Sequence, residues 1–218
     1  MNRSLANVLR RVLLAAGLGL ALAAMADAST PIKVTADQAT AIRQINDYIL
    51  GIKSLKGDFT QISPKGNLSR GEFFISRPGR MRFQYEPPNP FVVVADGKWL
   101  TVKQRLKDSS EKGDQYPLCE TPLRFLLCEN VDLLRDTNIL GFEQSDGLAS
   151  VTIEEKQSTF GGQIVLVFDQ NKKELQQWIV IDGKGRRTTV SLANIVAGET
   201  LDPKLFLGKI NRVERVTK

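Results

Sequence analysis

The chain lacks histidine altogether, has only two cysteines, and is poor in aromatic residues (7% of 218 positions). Without imidazole there can be no Ser-His-Asp triad, no Cys-His pair and no His-ligated zinc, iron or copper. Two thiols cannot hold a four-thiolate cluster. Paired carboxylates are missing as well: Glu154 and Glu155 are adjacent, so on a strand they point to opposite faces. The glycine pairs and Asp-Gly dipeptides, such as Gly161-Gly162, Asp96-Gly97 and Asp182-Gly183, read as turns. None follows the strand-to-helix pattern that a phosphate loop needs. Composition thus argues against an enzyme, against a metal site and against a bound cofactor. No apolar run comfortably spans a bilayer either.

What is present suits a folded domain: 42% hydrophobic residues, 25% charged, and a net charge of +6. Residues 1–11 carry Arg3, Arg10 and Arg11 and no acid, and an apolar run from Val12 to Ala24 follows. Small residues come next, which predicts a signal peptide cleaved after Ala26 or, alternatively, after Ala28. Cleavage after Ala26 halves the net charge. It leaves one domain, 27–218, of about 190 residues, enough for a sizeable core. The remaining charge is far from a nucleic-acid footprint. The expected product is soluble and outside the cytoplasm.

The first element of that domain is a helix capped at Thr35, with Gln38 as capping-box partner and Ala39, Ile42, Ile45, Ile49 and Ile52 as its stripe. The period then changes to two. Strands are expected at 55–63, 68–77, 80–86, 91–95, 98–104, 139–144, 148–155, 163–168, 175–181, 187–195 and 205–210, and 105–115 reads as a charged loop. About eleven short strands, most with one apolar face, predict a mainly β fold. The sheet is antiparallel and curved, and helices close it.

Two features stand out. In 121–128, Leu123, Leu126 and Leu127 form a helical stripe, and Phe125 and Cys128 add apolar surface around it. Such a helix is either a plug that completes the core or a movable lid over a lipid pocket. Arg77 is the second: it ends an apolar row, Phe73 and Ile75, and its five donors could bind main-chain carbonyls of a covering loop or simply reach water. Export makes Cys119 and Cys128 disulfide candidates. However, a helix running from Thr121 to about Glu129 would separate them by about 10 Å, beyond disulfide reach unless the helix is short or Cys119 folds back. Otherwise they are two buried apolar residues.

Several strings resemble one family: Phe59-Thr60-Gln61, the run from Gly71 to Pro78, Asp96-Gly97-Lys98-Trp99-Leu100, Thr121-Pro122-Leu123, and Asp202-Pro203-Lys204-Leu205-Phe206. Together they resemble the periplasmic outer-membrane lipoprotein carrier family, LolA. The resemblance implies an incomplete, curved antiparallel barrel closed by helices. It also implies a monomeric carrier that takes acylated lipoproteins from an inner-membrane releasing transporter to an outer-membrane acceptor, if one exists. Arg77 falls on the family's lid-latching arginine. The family's lid motif falls on Thr121-Pro122-Leu123, so the expected lid helix is Pro122, Leu123, Phe125, Leu126 and Leu127. The expected lipid cavity is lined by Phe59, Phe73, Ile75, Met81, Phe83, Tyr85, Trp99, Ile153 and Trp178, on a concave face that the sheet itself leaves unfilled. The alternative is a lipid-anchor sensor or acceptor of the same fold that does not shuttle. Cys119 and Cys128 depart from the family pattern, and a bond between them would restrict the lid.

Overall fold

A computed structural model of the chain describes residues 30–105, 111–156, 162–208 and 213–215. The expected signal peptide lies outside the described residues. Helix α1 (Ala36–Gly51) starts at Thr35, whose hydroxyl accepts from the Gln38 amide while the Gln38 side chain accepts from the Thr35 amide. It buries Ala41, Ile42, Ile45 and Ile49 against the sheet.

Among the described residues the sheet has twelve strands: β1 (Ser54–Ile62), β2 (Leu68–Ser76), β3 (Arg80–Tyr85), β4 (Phe91–Asp96), β5 (Trp99–Arg105), β6 (Glu111–Pro117), β7 (Thr137–Ser145), β8 (Leu148–Glu155), β9 (Gly162–Asp169), β10 (Glu174–Asp182), β11 (Arg187–Ala197) and β12 (Val213–Arg215). Their order is β12-β6-β5-β4-β3-β2-β1-β11-β10-β9-β8-β7. Every neighbour pair is antiparallel except the short β12, which lies parallel to β6. The sheet is an open, curved half-barrel. Two meanders, β1–β6 and β7–β11, join where β1 pairs with β11.

Inward and outward positions alternate clearly on β3, where Met81, Phe83 and Tyr85 are buried and Arg82 and Gln84 are not. The concave face carries the main core. A second, smaller layer lies outside: a 3-10 turn at Pro203–Phe206 crosses the convex face of β3 and β4, and Arg82 donates to the Leu205 carbonyl at 3.1 Å.

Three expectations need correction. Of the loop expected at 105–115, residue 105 ends strand β5, 106–110 lie outside the described residues, and the polar stretch 111–115 belongs to strand β6, paired along its whole length with β5. Main-chain hydrogen bonds build this strand, so it has no apolar alternation to read. Of the tail strand expected at 205–210, Leu205 and Phe206 belong instead to the 3-10 turn, with the Asp202 side chain accepting from the Lys204 amide, and residues 209–210 lie outside the described residues. The helix expected from Thr121 to about Glu129 is instead one turn, α2 (Arg124–Leu127), after a 3-10 turn at Leu118–Glu120, and a separate helix α3 (Leu133–Asp136) follows. Asp132 caps α3, and Asn130 adopts a left-handed φ of 56° between the two helices, which breaks the run.

Candidate functional site

The segment 118–128 covers the concave face. Pro122 and Leu123 precede α2 rather than lying in it, and the helix is a single turn. Phe125, Leu126 and Leu127 are only 2%, 5% and 0% exposed, and all three belong to the same core cluster as Phe59, Phe83 and Ile153. Leu123 packs against that cluster at its edge. The concave face is therefore filled, by the covering segment together with α1, and is not an open pocket.

Because α2 is so short, Cys119 folds back beside its end. Cys119 and Cys128 form a disulfide with Cα atoms 6.4 Å apart. The distance computed for a continuous helix does not apply, since the chain turns at Leu118–Glu120 and again at Thr121. The bond makes residues 119–128 a closed loop.

A one-turn helix leaves its last carbonyls without intrahelical partners. The β2–β3 turn supplies them. Arg77 donates to the Leu126 carbonyl at 2.5 Å and to the Cys128 carbonyl at 3.0 Å, and the Gly79 amide donates to the Leu127 carbonyl at 2.8 Å. Three consecutive carbonyls of the cover are thus held by one turn. The turn is fixed in its own right by the Arg77 amide donating to the Lys53 carbonyl at 3.0 Å. Burial lowers the Arg77 pKa, and the Glu129 carboxylate partly offsets this. Gly79 has a φ of 75°, and a Cβ there would meet Gly97 at 2.8 Å, so glycine is needed for the amide to reach the cover.

Sequence reasoning missed a second anchor. Arg124 of α2 forms an ion pair with Glu155 at the end of β8, and its guanidinium stacks 5.5 Å from the Phe125 ring. Its Nε is buried without a partner. The cover is therefore tied to both wings of the sheet, by Arg77 to β2–β3 and by Arg124 to β8.

Beneath it stands an aromatic wall drawn from four strands. Phe59 lies 4.6 Å from Phe83 and 4.9 Å from Tyr85; Phe83 lies 5.8 Å from both Phe73 and Trp178. Ile75, Met81 and Ile153 complete the buried set. The Tyr85 hydroxyl donates to Gln61 Oε1 at 2.6 Å, and burial pushes its pKa up to about 12. Trp99 is placed elsewhere. It is half-buried on the face opposite Leu100, its amide bonds Asp96 at 2.8 Å, and Lys98 sits over its ring. It is not part of the core cluster that lines the concave face, because Leu100 takes the inward position. Two glycines frame the wall, each opposite an aromatic residue: Gly57 pairs with Phe73 and Gly71 with Phe59. A Cβ on Gly71 would come within 2.7 Å of the Phe59 ring.

The family model described as "Outer membrane lipoprotein carrier protein LolA" matches residues 51–209. The chain belongs to the LolA family. An outer-membrane lipoprotein carrier protein of Pseudomonas paraeruginosa is 24% identical to this LolA-family chain over 179 residues, covering 78% of the chain and 84% of the relative. A solved Pseudomonas aeruginosa MucA/MucB complex matches at 15% identity and a TM-score of 0.43; the match covers 79% of the chain and only 62% of that protein. A LolA-superfamily protein from Nitrosomonas europaea matches at 11% identity and a TM-score of 0.43, covering 78% and 97%. Among the described residues no helix is long and apolar enough to cross a membrane.

Proposed function

We propose that this LolA-family protein is a periplasmic, monomeric carrier that binds the acyl chains of lipoproteins beneath segment 118–128. It receives them from an inner-membrane releasing transporter and delivers them to the outer membrane, to an acceptor where one exists. It acts by binding, with Arg77 as the latch and Phe59, Phe73, Ile75, Met81, Phe83, Tyr85, Ile153 and Trp178 as the wall the chains would meet. The observation that carries this reading is the way the cover is held. Its apolar side chains sit on the aromatic wall, while its polar ties run to groups outside the segment, Arg77, Gly79 and Glu155, and can be exchanged for water. Each acyl methylene buried is worth about 0.8 kcal/mol, so a multiply acylated anchor does not cross water unaided. A cover that competes for the same wall lowers net affinity and so allows release. The Cys119–Cys128 bond fits an oxidising compartment.

Mass spectrometry of lipids and lipoproteins that copurify from the periplasm tests the reading. Acylated lipoprotein should copurify, and more of it with Arg77→Leu. A protein that arrives free of acyl chains and fails to bind a fluorescent fatty acid would refute it. Tight retention with no transfer to acceptor vesicles would favour a sensor.

A further inference from the structure

We infer that the outer rim where the β1–β2 and β10–β11 turns meet is a docking surface for an anionic lipid bilayer. Ile62 and Leu68 face each other as a cross-strand pair and are 45% and 54% exposed. Phe59 and Gln61 point inward, towards Tyr85, so alternation places Ile62 and its partner on the convex face. On the other side of Ile62 lies Thr189 of β11, two residues from Arg187. The two turns form the walls of a shallow cleft lined by Ile62, Lys65, Arg186 and Arg187, among others.

Charge decides the occupant. Segments 62–70 and 182–189 carry five cations, Lys65, Arg70, Lys184, Arg186 and Arg187, against one carboxylate, Asp182. That carboxylate is already engaged by Arg186 at 2.7 Å and by the Lys184 and Arg186 amides. Glu86, whose amide bonds the Arg70 carbonyl, marks the border of the patch. An exposed apolar pair ringed by cations matches an interfacial contact: the apolar side chains enter the headgroup boundary and the cations meet lipid phosphates. A symmetric pairing of two copies through this face would instead bring the same cations against each other. The surface goes beyond the carrier reading and can be tested separately from it.

The test is co-sedimentation of the purified protein with phosphatidylcholine vesicles, with and without phosphatidylglycerol. Binding should appear with phosphatidylglycerol and fall as salt rises. Lys65→Gln and Arg187→Gln should each weaken it about fivefold, and Leu68→Gln about tenfold. All three should keep wild-type melting temperature and fatty-acid loading. Equal binding to neutral and anionic vesicles, no binding, or charge variants that bind like wild type would each overturn the proposal. So would a dimer that Leu68→Gln makes monomeric without any vesicle binding. Vesicle binding without acyl loading would uphold this surface and count against the carrier reading; loading without vesicle binding would do the reverse.

Discussion

Replacing Arg77 by leucine removes the forked tie between the β2–β3 turn and the cover. Two charge-assisted hydrogen bonds are lost, to the carbonyls of Leu126 and Cys128. Bonds of this kind contribute about 1.5–3 kcal/mol each. The guanidinium is only half-buried and water can replace part of the loss, so about 2–4 kcal/mol is the working figure. Gly79, the disulfide and the Arg124–Glu155 pair still hold the segment near its place, so the fold should persist. If acyl chains and the cover compete for one wall, what the closed state loses the ligand gains. The apparent dissociation constant should then fall by about 30- to 1000-fold. Fluorescent fatty-acid titration measures the gain, and transfer of the probe to acceptor vesicles measures the matching loss of release. Arg77→Lys should fall between wild type and Arg77→Leu, because an ammonium is a point donor that does not fork across two carbonyls. An Arg77→Leu protein that melts lower but binds and releases like wild type would show that the arginine only braces the turn, and the competition argument would fail.

Glu155→Gln should loosen the other side of the cover and tighten fatty-acid binding by less than Arg77→Leu, since it leaves three main-chain ties intact; titration of the two variants and their double mutant checks this. Cys119→Ser opens a loop whose ends are nine residues apart in sequence. Chain entropy puts that at about 2.5 kcal/mol, a melting temperature lower by about 5–10 °C, with reductant lowering the wild type by the same amount. Gly71→Ala should destabilise by about 1–3 kcal/mol in chemical denaturation, because a Cβ meets both the Phe59 ring and the Gln84 carbonyl. The Tyr85 pKa is raised from 10.0 to about 12 by burial. A raised folded-state pKa means stability that is complete below pH 10 and is lost as pH climbs towards 12, about 2–3 kcal/mol in all. Tyr85→Phe should flatten that alkaline decline, and an unchanged slope would place the titrating group elsewhere.

The parts of this fold that could be read from sequence are those in which side chains specify the structure. Alternation located ten strands to within a few residues, because one face of each must leave water, and the Thr35–Gln38 box located the start of α1 because both partners are side chains. Arg77 was conspicuous as a cation ending an apolar row. The parts that could not be read are those made by the main chain. Strand β6 exists because the β5 edge needs partners, whatever side chains Glu111–Pro117 bring. The cover looked like one long helix because Leu123, Leu126 and Leu127 keep helical spacing, yet it stops after one turn where the β2–β3 turn takes its carbonyls. That interruption is also what lets Cys119 reach Cys128, so one misread helix length hid the disulfide as well. Residue type alone points Trp99 to the wall, whereas the hairpin register gives the inward position to Leu100. A carbonyl is identical in every residue, so a side chain that grips carbonyls leaves its mark on the arginine alone. The helix it holds carries no matching signal.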